Sequence, residues 1–63
     1  MFLETYEGLV INSSSIDCYR AEQVEDGEEW QIIIDYDGEK YTLIGDHENR
    51  GQALDRVRLI AWG

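Results

Sequence analysis

Residues 30–45 run Trp30-Gln31-Ile32-Ile33-Ile34-Asp35-Tyr36-Asp37-Gly38-Glu39-Lys40-Tyr41-Thr42-Leu43-Ile44-Gly45, two β-rich stretches around one Asp-Gly step. Asp-Gly suits a two-residue type I′ turn, in which both central residues take positive φ. Such a turn sets the register: Tyr36 faces Glu39, Asp35 faces Lys40, Ile34 faces Tyr41, Ile33 faces Thr42 and Ile32 faces Leu43. Side chains alternate along a strand, so Trp30, Ile32, Ile34, Tyr41 and Leu43 share one apolar face. The other face carries Gln31, Ile33, Asp35, Lys40, Thr42 and Ile44, with Asp35–Lys40 as an opposite-charge cross-strand pair.

Upstream, Ile16–Val24 reads as a further strand, joined to Trp30 through Glu25-Asp26-Gly27-Glu28. If Asp26-Gly27 is a second two-residue turn, Tyr19 lies opposite Ile34 and Ala21 opposite Ile32, both on the apolar face. A longer loop would bring Ile16, Cys18 and Val24 inward instead, and both registers fit the residues. Residues 2–11 hold another extended stretch, broken near Glu7-Gly8, that forms one strand or two. Asn12-Ser13-Ser14-Ser15 is turn chemistry, because short polar side chains compete for backbone hydrogen bonds.

Downstream the period changes. Ala53, Leu54, Val57, Ile60 and Ala61 recur at helical spacing and define a stripe. Asn49 with Gln52 three residues on resembles a capping box, with Asp46 as the alternative cap. The expected fold is α+β: a three- to four-stranded antiparallel β-meander packed on one C-terminal α-helix, with residues 1–63 as a single small domain.

The charge is as uneven as the pattern is regular. Of 63 residues, 14 are acidic and 5 basic, for a net charge of −9. Thirteen carboxylates and two basic residues fall within positions 1–48, giving −11; the last fifteen positions carry three arginines and one aspartate, giving +2. A field of this sign disfavours direct nucleic-acid or anionic-membrane binding and favours basic protein partners. The hydrophobic fraction of 43%, with two Trp and four Tyr, is too high for a disordered acidic tract. The single cysteine rules out an internal disulfide, and one Cys with one His falls short of a structural zinc set. No membrane-length apolar run or signal-peptide pattern is present, so a cytoplasmic setting is expected, cellular or virus-infected.

Catalytic signals are few. His47 lies in Gly45-Asp46-His47-Glu48-Asn49, where successive side chains diverge, so a solvated junction is favoured over a metal site. Cys18 has a carboxylate neighbour, Asp17, the opposite of the electropositive setting of a nucleophile. There is no glycine-rich phosphate loop and no serine elbow. Neither an enzyme nor a bound cofactor is expected.

The acidic cluster is more informative. Glu22, Glu25, Asp26, Glu28 and Glu29 surround one turn, with Asp35, Asp37, Glu39 and Asp46 nearby along the sheet ends; the first five are taken together with Asp35 and Asp37. These seven are the candidate contact surface for a basic partner, where they would imitate the phosphates of a nucleic acid. The plainer reading of such a run is a solubilising surface. Ile33 and Ile44 on the mixed sheet face, and Leu59 and Trp62 beside the helix stripe, form a candidate dimer or second interface. The expectation is a small acidic non-enzymatic binding module, an inhibitor or regulator; as a general type these features resemble phage-encoded inhibitors of host defence. The alternative is a structural or accessory homodimeric subunit whose acidity serves solubility.

Overall fold

A computed structural model describes residues 1–62, arranged as two antiparallel sheets against one C-terminal helix. The strands are β1 (Phe2–Glu4), β2 (Val10–Asn12), β3 (Cys18–Gln23), β4 (Trp30–Tyr36) and β5 (Glu39–Thr42); the helix is α1 (Arg50–Trp62). β3, β4 and β5 form the meander, and β1 pairs with β2. The α+β class and the meander-plus-helix plan are as expected from the sequence. Residues 2–11 resolve as parts of two strands, which brings the total to five.

The β4–β5 hairpin forms as its sequence dictates. Asp37 and Gly38 have φ of 51° and 81°, the left-handed pair of a type I′ turn. The register is Tyr36↔Glu39, Asp35↔Lys40, Ile34↔Tyr41 and Ile33↔Thr42, and the Leu43 N–H donates to the Ile32 carbonyl at 2.9 Å. The β3–β4 register is Tyr19↔Ile34 and Ala21↔Ile32, which leaves Cys18 exposed. It is not reached through a type I′ turn at Asp26-Gly27, however. Gly27 is not among the positive-φ residues; its N–H donates to the Val24 carbonyl at 3.2 Å, inside a four-residue loop closed by Val24 N–H to Glu29 C=O at 2.8 Å.

The two sheets join at the far side of β5. The Tyr6 N–H donates to Thr42 O and the Ile44 N–H to Glu4 O, around a Thr5↔Leu43 bridge. Gly45, at φ 132°, then turns the chain away so that His47 pairs with Trp30. A side chain at position 45 would be strained in that conformation.

The core is Leu3, Ile11, Ile32, Ile34, Leu43, Ala53 and Ile60, with Tyr19, Ala21, Trp30, Tyr41 and Val57 packed around it. Burial of each leucine or isoleucine side chain in this core contributes about 1.5–3 kcal/mol. The helix stripe needs one correction. Ala53, Val57 and Ile60 turn inward as expected and Leu54 is half-buried, but Ala61 is exposed. The line 53–57–60 faces the sheet, and Ala61, about 40° past Val57 in the last turn, is exposed. Asn49 is the cap: its Oδ1 accepts from the Gln52 N–H at 2.9 Å, and Gln52 Oε1 accepts from the Glu48 N–H at 3.0 Å. Asp46 is not the cap; its carboxylate accepts from Gln31 Nε2 at 3.0 Å.

Candidate acidic docking surface

The β3–β4 loop ends one side of the meander, and Glu25, Asp26, Glu28 and Glu29 are all exposed there. Among the described residues none of the four makes an ion pair or a side-chain hydrogen bond to the protein. The Trp30–His47 pairing adds to them. The Trp30 N–H donates to His47 O at 2.8 Å and the His47 N–H to Trp30 O at 2.9 Å, which places exposed Glu48 opposite Glu29 and exposed Asp46 opposite Gln31, whose side-chain amide donates to it. Five carboxylates therefore share one end of the molecule, with Asp46 two residues further along beside Gln31, and the start of α1 follows directly. The positive end of the helix dipole partly offsets the repulsion that such crowding creates.

The remaining predicted contact residues do not belong to this end. Glu22 and Asp35 lie on the sheet face away from the core, on either side of Arg20. The Arg20 guanidinium is 3.4 Å from Asp35 Oδ1 and 4.0 Å from Glu22 Oε2. Asp35 faces Lys40 in register, yet the ion pair it makes is with Arg20 on the other neighbouring strand, β3. Asp37 sits in the β4–β5 turn, at the opposite end of β4 from Glu29 and roughly 26 Å away at strand rise. The seven residues read from sequence thus separate into four at the loop, two held by Arg20 and one at the far end. Asp46 was expected nearby along the sheet ends but not counted among the contact residues, and Glu48 was missed, because the bend at Gly45, which carries them to Trp30, has no local signature beyond one glycine.

The second candidate interface also divides. Ile33 is half-buried and Ile44 half-exposed on the outer sheet face, whereas Leu59 and Trp62 stand on the outer side of α1. Trp62 is 81% exposed. With Leu59, Asp55 and Arg58 it lines a shallow groove walled by one helix only, and Arg58 pairs with Asp55 at 2.8 Å. A surface that sequence reasoning did not find lies on the N-terminal hairpin. Phe2, Tyr6 and Val10 are exposed there, and Ile44 joins them through the Glu4–Ile44 hydrogen bond. The alternation of β1 and β2 that buries Leu3 and Ile11 turns Phe2 and Val10 outward.

Two tyrosines have perturbed ionisation. Burial pushes the Tyr19 phenol up, and its hydroxyl donates to Ser13 O at 3.2 Å. Tyr41 is also raised, first by partial burial, then by its hydrogen bond to Glu39 and by the charges of Glu39 and Asp37. Neither adjoins a nucleophile or a second acid–base group. Among the described residues, no three His, Cys, Asp or Glu side chains are grouped to hold a metal ion, and no helix is long and apolar enough to cross a membrane. Comparison with protein-family models, with curated proteins and with solved structures gives no match.

Proposed function

We propose that this chain is a non-enzymatic acidic binding module, an inhibitor or regulator that docks on a basic surface of a partner protein. The observation that carries the reading is the exposed, unpaired state of Glu25, Asp26, Glu28 and Glu29, reinforced by Asp46 and Glu48. Charges left without intramolecular partners weaken the compact state through repulsion, and they steer an oppositely charged surface into contact. Spaced along a loop and a neighbouring strand end, they offer Lys and Arg side chains the charge-assisted acceptors that a nucleic-acid backbone offers. A partner whose natural ligand is a nucleic acid fits this chemistry, and the cytoplasm is the proposed setting.

The experiment is affinity capture from a lysate of the source cells with wild-type protein and with E25Q/D26N/E28Q/E29Q. The expected result is a basic partner retained at low ionic strength, weakened near about 0.15 M salt, and lost with the quadruple variant. Equal capture by both proteins at both salts overturns the reading.

A second reading, a structural or accessory homodimeric subunit, is favoured by the exposed apolar strip of Phe2, Tyr6, Val10 and Ile44. In that case Phe2→Ser with Val10→Ser abolishes association, and the acidic substitutions leave it intact.

A further inference from the structure

β3 is an open sheet edge with a self-complementary charge pattern. The Leu43 N–H to Ile32 O bond shows that the even-numbered residues of β4 bond to β5. The odd-numbered ones therefore bond to β3, as the Val24 N–H to Glu29 O bond confirms. On β3 this assigns Cys18, Arg20 and Glu22 to the ladder with β4. Tyr19, Ala21 and Gln23 then turn their backbone groups away from the sheet, and none of their N–H groups has an acceptor among the described residues.

We propose that β3 pairs antiparallel with β3 of a second copy of the chain, about a two-fold axis at Ala21. In that register Ala21 meets the copy's Ala21, Tyr19 meets the copy's Gln23 and Gln23 the copy's Tyr19. Each pair exchanges two backbone hydrogen bonds. The neighbouring registers are disfavoured by charge: centring on Arg20 opposes two arginines, and centring on Glu22 opposes two glutamates. Centring on Ala21 sets Arg20 against the copy's Glu22 twice, in the close non-hydrogen-bonded positions. Arg20 has room for this acceptor, since its side chain is 38% exposed and its two intramolecular carboxylates stand at 3.4 and 4.0 Å.

The pairing closes on itself. It uses both β3 edges and leaves only the three-residue β2 strands open, so assembly stops at two copies. It also opposes Asp17 to the copy's Glu25 at the fringe and brings two chains of charge −9 together. Salt therefore strengthens this dimer, whereas it weakens docking on a basic partner, so the two ideas fail separately.

Sedimentation equilibrium of the purified protein is the test. Wild type forms a dimer that tightens as salt is added. Ala21→Pro removes only an outward N–H, so dimerisation falls by roughly tenfold or more while circular dichroism is unchanged. Should that variant misfold, the charge series decides. Arg20→Glu and Glu22→Arg each weaken the dimer roughly tenfold, and the double exchange restores it. A wild type that stays monomeric at every concentration, a dimer indifferent to Ala21→Pro, or a double exchange no better than its parents overturns the proposal.

Discussion

Thr5 is 1% exposed, and its hydroxyl serves Leu9 twice: it donates to the Leu9 carbonyl at 3.1 Å and accepts from the Leu9 N–H at 3.0 Å. Replacing it with isosteric valine leaves the Leu9 N–H without its acceptor. Urea titration of Thr5→Val is expected to show a loss of about 1–3 kcal/mol. Ile34, fully buried, loses about 2–5 kcal/mol on truncation to alanine, and Ile33, half-buried on the other face, loses less. The isoleucines were legible because strand alternation sorts them without reference to the rest of the chain. Thr5 was not, because a buried hydroxyl is recognisable only once the loop that satisfies it is closed. Tyr19 adds a pH dependence. Its folded pKa lies above the unfolded value of 10.0, so the neutral phenol is the form the fold favours. The associated stability is fully present below pH 10 and is lost as pH rises through the higher folded value. Melting temperatures of Tyr19→Phe and wild type should therefore diverge less above pH 10 than at neutrality; a constant gap would contradict the shift.

Elements that share a sequence signature need not share a structure, as the two Asp-Gly steps demonstrate. Gly38 holds φ 81° in a two-residue turn, so Gly38→Ala is expected to cost about 1–2 kcal/mol. At Gly27 an added methyl group meets only Val24 Cγ1 at 3.9 Å and the Glu29 nitrogen at 4.0 Å, outside the left-handed region. Gly27→Ala should stay within about 0.5 kcal/mol of wild type by thermal or urea unfolding. The acidic residues around Gly27 lengthen the loop without changing the register, which explains why a wrong turn type still predicted the right strand partners. The cap of α1 gives a second contrast. Asn49→Ala should lose about 0.5–2 kcal/mol, and Asp46→Ala should leave the helix intact. The N-terminal hairpin was the least legible element. Its strands have only three residues each, and the hairpin joins the meander through the Thr5↔Leu43 bridge just past β5.

At the scale of the molecule, the sequence revealed how much negative charge there is and only part of where it collects. Glu25 to Glu29 are neighbours in the chain and were found together; Asp46 and Glu48 reach them through the fold; Asp37 leaves them because β4 separates its two ends. Self-repulsion at a net charge of −9 predicts that sodium chloride raises the melting temperature of the isolated protein, by roughly a few degrees between low salt and about 0.15 M. The same screening acts with opposite sign on a complex held by these carboxylates. The most direct test of the proposed role is therefore the salt dependence of the dissociation constant for a captured basic partner, measured with wild type and with E25Q/D26N/E28Q/E29Q. The account predicts that wild-type affinity falls steeply with ionic strength and that the variant binds weakly with a shallow slope. Equal affinities and equal slopes for the two proteins would contradict it.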